Sequence, residues 1–151
     1  LVFSTVHANN VFDVIGRFTH MGLDLYSVVS AVNAVLAQRL VRINCPACSA
    51  PFVPGRERLA GLGLLDRVAR FASSAGCAKC RGTGYRGRRA VAELLLLDDE
   101  LRDAIVARAP MVRIKEMATE RGFRSLREAA LDLVCRGEST FAELDRVTLA
   151  D

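Results

Sequence analysis

Two short cysteine pairs constrain this chain more than any other feature: Cys45-Pro46-Ala47-Cys48 and Cys77-Ala78-Lys79-Cys80. Each pair sets two thiols on one tight turn, and two such turns supply the four sulfurs of a closed tetrahedral metal site. Residues 49 to 76 then form an excursion that the metal would clamp. A redox dithiol needs only one pair at a helix start, and two disulfides would suit a secreted chain with no other route to a core. The ligand number and spacing favour zinc over both readings. Its role would be structural, because four thiolates leave no coordination position for water or substrate. Pro46 stiffens the first turn, while Gly82 and Gly84 let the chain after the second pair turn tightly enough to aim amide N–H groups at sulfur. The fifth cysteine, Cys135, lies among Leu131, Leu133 and Val134 and reads as an inert buried thiol.

A chain of 151 residues with 51% hydrophobic content can bury a core, as one unit or two small ones. No apolar run reaches bilayer length and no signal-peptide pattern opens the chain, so a soluble, intracellular protein with reduced thiols is expected. The net charge of +4 conceals an asymmetry: residues 1 to 89 carry 12 basic and 4 acidic groups, and residues 90 to 151 carry 9 and 13. That split predicts subdomains with different surfaces. Lys79, Arg81, Arg86, Arg88 and Arg89 cluster around the second cysteine pair, where they could meet acidic lipid headgroups, a partner or nucleic acid, or simply form a solvated face. The stretch lacks the interleaved aromatics of single-strand binders, so nucleic acid is not expected.

Leu1 to Val6 reads as a strand buried on both faces, whose sheet neighbours should lie upstream; on that reading the chain is a fragment. Asn9-Asn10 caps a helix carrying Val11, Val14, Ile15 and Phe18, which stops at Gly22. Asp24 caps a second helix over residues 25 to 38 with Leu25, Val28, Val29, Val32, Val35 and Leu36 as its buried stripe. Leu40 to Ile43 is a short strand, residues 53 to 63 a loop, 64 to 73 a helix, and 86 to 97 a strand leaving the metal site. Asp98 starts a helix to Ala109, Pro110 opens another that stops at Gly122, and the capping-box patterns at Ser125 and Thr140 start two more.

In order along the chain stand STVHANN, MGLDLYSVVSAVNAVLAQRLVR, CPAC, CAKCRGTGYRGR and AVAELL. In that order they resemble the C-terminal part of the ATPases that power type II secretion and type IV pilus assembly. The resemblance covers nearly the whole chain, from a histidine box through Gln38-Arg39-Leu40 and a tetracysteine subdomain to a helical end containing Gly137-Glu138-Ser139-Thr140-Phe141-Ala142-Glu143-Leu144. It implies an α/β fold: part of a RecA-like P-loop NTPase layer over residues 1 to 44, a zinc subdomain over 45 to 89, and a return strand with a helical subdomain over 90 to 151. It also implies a hexameric ATPase using ATP and Mg²⁺ on the cytoplasmic face of a bacterial inner membrane, working with its own subunits and with platform proteins of the machine.

By the same resemblance, Cys45, Cys48, Cys77 and Cys80 are the metal ligands, and His7 approaches the γ-phosphate to stabilise the transferring group. Arg39 matches an arginine of the family pattern, most simply a packing residue. No G-x-x-x-x-G-K-[ST] motif occurs among the 151 residues, so no ATP hydrolysis is expected of this chain alone. Asn10, where the family often has aspartate, and Arg89, Ala90 and Ala92 depart from the family pattern. An alternative is a stand-alone zinc-dependent interaction module, since CAKCRGTG also fits the CxxCxGxG repeat of Hsp40-type chaperones. Only one such repeat is present.

Overall fold

Short polar side chains start the helices that follow Asn10, Asp24, Asp98 and Thr140, because the first amides of a helix have no carbonyl partner within it. The computed structural model describes residues 1 to 148. In chain order its elements are α1 (Val11–His20), α2 (Leu25–Ala31), β1 (Ala34–Asn44), β2 (Ser49–Pro51), α3 (Arg56–Gly61), β3 (Ala72–Ser74), a single 3-10 turn (Ala78–Cys80), β4 (Tyr85–Leu96), α4 (Asp99–Val106), α5 (Met111–Glu120), α6 (Leu126–Cys135) and α7 (Phe141–Val147). Asn10 accepts from the Asp13 amide at 2.9 Å, Asp24 from Ser27 at 2.9 Å, Asp98 from Leu101 at 2.8 Å and Thr140 from Glu143 at 3.2 Å. The fold is thus mixed α/β, as the family resemblance implied.

The chain forms two units, each discontinuous in sequence: Leu1–Gln38 with Ala92–Leu126, and Arg39–Val91 with the described residues from Arg127 onward. β1 and β4 pair with each other. Leu97 N–H donates to Asn33 C=O at 3.0 Å and Cys45 N–H to Gly84 C=O at 2.9 Å, so the partners run in opposite directions. A second small ladder joins β2 and β3 antiparallel, with Ser49 opposite Ser74 and Pro51 opposite Ala72.

Local pattern misassigned four segments. Leu1 to Val6 is not a strand: residues 1 to 8 have no regular structure, and Leu1, Val2 and Phe3 are exposed. A strand exists only by pairing, and the described strands pair with one another. The helix expected over 25 to 38 ends at Ala31, and residues 34 to 38 begin β1. Val32, Val35 and Leu36 satisfy a helical spacing on paper, but a partner strand some sixty positions away claims this backbone, which no local window contains. Residues 53 to 63 contain α3, and 64 to 73 form no helix: their end, Ala72, enters β3 as the return leg of the excursion. The helices expected after Asp98 all form; the final positions of the expected third segment, 149 to 151, lie outside the described residues.

In the first unit, Val11, Phe12 and Ile15 of α1 pack with Val29, Leu95, Leu97, Leu101, Ile105, Ile114 and Ala118. Phe12 meets Phe123 edge-on at 5.1 Å. Into this apolar setting β4 sends one carboxylate, Glu93, which is buried. Its two oxygens accept the N–H of Val11 at 2.7 Å and of Leu126 at 2.8 Å, the first residues of α1 and α6. A negative charge against two helix starts is favoured by their dipoles, and it satisfies two amides that would otherwise be buried unpaired.

The second unit buries Glu143 completely. Its carboxylate accepts the Arg42 backbone N–H at 2.9 Å, Arg42 Nε at 2.8 Å and Arg146 Nε at 2.8 Å. Burial works against the carboxylate, but the Arg146 and Arg42 donors outweigh it and hold its pKa down at about 2. Arg42 lies 4.3 Å over the Tyr85 ring, and Tyr85 Oη lies 2.7 Å from Thr140 Oγ1. Asn44, also buried, spends its side-chain amide on Gly137 C=O at 3.0 Å and on Ala72 and Ser139 C=O at 3.3 Å, and its backbone N–H on Glu138 C=O at 2.8 Å. Arg42, Asn44 and Cys45 therefore tie the end of β1 to the α6–α7 corner and to the metal loop within one unit.

Both carboxylates make testable statements. Glu93→Gln keeps one acceptor and presents an NH₂ to the other amide, whereas Glu93→Ala orphans both. Stability of the first unit should fall by about 1–3 kcal/mol per orphaned amide, with faster hydrogen exchange at Val11 and Leu126 and the larger loss in the alanine variant. Glu143 has a folded pKa below its unfolded value, so its contribution is present above about pH 4.5 and is lost as pH falls towards about 2. The stability gap between wild type and Glu143→Gln, measured in metal-matched samples, should be about 3 kcal/mol near neutrality and close as acid is added through that window.

Candidate metal centre

The first cysteine turn follows directly from β1. Cys48 and Ser49 both return their N–H to the Cys45 carbonyl, at 3.2 and 2.9 Å, which wraps the chain around the Cys45 side chain. The second turn is the 3-10 turn after Cys77, with Cys80 N–H and Gly82 N–H both reaching the Cys77 carbonyl at 3.2 and 3.0 Å. Two constraints bring the turns together: the β2–β3 ladder, which closes the excursion at its base, and the Cys45 N–H to Gly84 C=O bond.

The four sulfurs lie within 4.8 Å of one another. Measured separations are 4.0 Å for Cys45 to Cys77, 3.9 Å for Cys48 to Cys80 and 3.8 Å for Cys77 to Cys80. A disulfide requires about 2.05 Å, so these are four free thiols. Zinc–thiolate bonds of about 2.3 Å imply tetrahedron edges of about 3.8 Å, and the observed separations match that figure. The residues present therefore fit a tetrathiolate-bound metal ion. Cys45 and Cys80 are buried, and Cys48 and Cys77 are half-buried.

The sulfurs are electrostatically unequal. At Cys80 burial opposes ionisation, but the N–H groups of Cys77 and Gly84, with the thiols of Cys77 and Cys48, overcome it and hold the pKa down at about 6. At Cys48 burial, reinforced by the surrounding thiols and only partly opposed by the Gly76 amide, pushes it up to about 12. Without a cation, one negative charge in the cluster discourages the next. A dication removes that repulsion, so binding here releases protons and strengthens as pH rises.

The structure brings together the four cysteines singled out in the sequence. His7 belongs to the other unit and is exposed in the irregular leading segment. Arg39 is half-buried on β1. Cys135 is buried, as expected, and burial pushes its thiol pKa upward. Lys79, Arg81, Arg86 and Arg88 are exposed, while Arg89 pairs with Glu138. Asn44 and Gly76 escaped the sequence reading. Each immediately precedes a cysteine pair, and that adjacency was the available signal.

Comparison with known proteins agrees with this picture. Residues 1–146 match the family model described as type II/IV secretion system protein. The chain is 41% identical over 147 residues to the type IV pilus assembly ATPase PilB of Thermus thermophilus, covering 95% of this chain and 16% of that protein. It is 37% identical to type II secretion system protein E of Dickeya dadantii and 36% identical to the type II secretion system ATPase E of Vibrio cholerae, covering 98% of this chain and 29% of each of theirs. The chain thus spans less than a third of the length of these curated relatives. No helix among the described residues is long and apolar enough to cross a membrane. With the ordered motifs, the cysteine cluster and a match from the first residue to Arg146, the chain belongs to the type II/IV secretion system protein family.

Proposed function

We propose that this chain is the C-terminal portion of a hexameric secretion-system ATPase that couples ATP hydrolysis to pseudopilus or pilus assembly, and that it holds one structural zinc ion on Cys45, Cys48, Cys77 and Cys80. The match across residues 1–146 to a family containing such ATPases carries the first statement. Sulfur separations of 3.8 to 4.0 Å carry the second. Zinc supplies a cross-link here and no open coordination position for chemistry. The cysteine turns, held by β1, β2 and β3, then present a shaped surface for neighbouring subunits or inner-membrane platform proteins. Its exposed basic residues would suit the acidic cytoplasmic leaflet.

In this reading the α/β part of the first unit contributes to a RecA-like layer. His7 stands in the leading segment where a donor can meet a developing charge on the γ-phosphoryl group, with Mg²⁺ and the phosphate loop contributed by other parts of the longer protein. The present residues contain no phosphate-loop motif. Their task is to complete a site and to hold it on a rigid frame.

Two outcomes are expected. Chain purified without oxygen should carry zinc near one equivalent, and Cys48→Ser should lower that content and raise hydrogen exchange across residues 45 to 84 while α4 and α5 keep their protection. Material that is fully folded and metal-free would sink the zinc assignment. This chain alone should show no ATP turnover. In the longer protein, His7→Ala should lower kcat by about 100-fold, as for a lost transition-state donor, with nucleotide affinity little changed. Equal losses in both would mark His7 as structural, and turnover by this chain alone would contradict the missing-loop argument.

A further inference from the structure

The backbone of Gly84 touches both cysteine turns. Its N–H donates to Cys80 Sγ at 3.3 Å, and its C=O accepts the N–H of Cys45 at 2.9 Å. Cys80 Sγ receives a second amide, from Cys77, at 3.1 Å. Cys80 Sγ therefore receives two N–H dipoles, and the residue that supplies one of them is also bonded to the opposite turn.

Space at this crossing is limited. Gly84 has φ +77°, and a Cβ there would stand 2.8 Å from the Ser74 carbonyl oxygen. Gly76 has φ +95°, and its Cβ would stand 2.5 Å from the Gly82 carbonyl oxygen. Both obstructing atoms are backbone and cannot swing aside. Gly82, in the same loop, has nearly the same φ, +76°, yet a Cβ there would meet nothing within 4 Å. The left-handed conformation alone thus accounts for Gly82, whereas Gly76 and Gly84 also answer to close approach between the two flanks of the second cysteine turn, residues 74 to 76 and 82 to 84.

We propose that Gly84 and Gly76 are positioning residues of the metal centre: they let the chain entering and the chain leaving the second cysteine turn approach closely enough for the Gly84 and Cys77 amides to cradle Cys80 Sγ as the anchoring sulfur of the site. This rests on the metal reading given above. A dication on four thiolates leaves two net negative charges, and N–H dipoles aimed at sulfur spread that charge in the absence of a cationic side chain among these contacts. Loss of the cradle weakens metal binding and alters the electronic character of the Cys80 thiolate while all four ligands remain.

The test is a Co²⁺ and Zn²⁺ titration of the chain, prepared without oxygen, in wild type, Gly84→Ala, Gly76→Ala and Gly82→Ala. Gly82→Ala measures the cost of the left-handed conformation by itself. Metal affinity in Gly84→Ala and Gly76→Ala should fall at least about tenfold below that of Gly82→Ala, and the sulfur-to-cobalt charge-transfer band should move in Gly84→Ala but not in Gly82→Ala. Because an alanine variant can fail to fold, the wild-type chain loaded with ¹¹³Cd provides a second measurement: the amide protons of Gly84 and Cys77 should show scalar coupling to the metal through Cys80 Sγ. Equal affinities in Gly84→Ala and Gly82→Ala, or no coupling at either amide, would overturn the cradle while leaving the metal site standing. A wild-type chain that takes up neither metal would overturn the zinc reading itself.

Discussion

Everything in the second unit that bears on function depends on two backbone turns meeting across an excursion of nearly thirty residues. Closing such a loop costs chain entropy, and that cost grows only slowly with length. Short constraints therefore suffice: the three-residue β2–β3 ladder at the base, and one amide from Cys45 to Gly84 at the crossing. Once the turns are in register, four sulfurs fall at spacings that a tetrahedral dication requires. The insert between the pairs can carry its own helix, α3, without disturbing the ligands.

A second principle runs through both units. Each contains a buried carboxylate that joins parts distant in sequence: Glu93 holds the first amides of α1 and α6, and Glu143 holds Arg42 on β1 beside its own helical neighbour Arg146. Burying a charge is costly, and such arrangements add less net stability than their contacts suggest. What they contribute is selectivity of arrangement, since a shifted strand or rotated helix leaves an unpaired charge behind. The family phrase AVAELL acquires a physical meaning from this: Glu93 is the charged position in an apolar strand because two helix starts converge on it.

The match to secretion and pilus assembly ATPases and the geometry of the metal loop bear on different levels of function. Family membership sets the chain beside secretion and pilus assembly ATPases, of whose length it spans less than a third. The cysteine cluster is a local arrangement of four sulfurs close enough together to hold a metal ion. Asn44, the last residue of β1, stands directly before Cys45 and also holds the α6–α7 corner.

Sequence alone singled out the four cysteines that the fold brings together, the buried fifth cysteine, the helices after Asp98 and the family, because these depend on short spacings, caps and motifs, each local and set in a fixed order along the chain. Tertiary structure alone decided that residues 34 to 38 are strand, that residues 1 to 8 lack one, and that Glu93, Glu143 and Asn44 join distant parts of each unit. The physical reason is the same in each case: a strand, a buried carboxylate or a buried amide takes its role from a partner far along the chain, and local pattern contains no information about who that partner is.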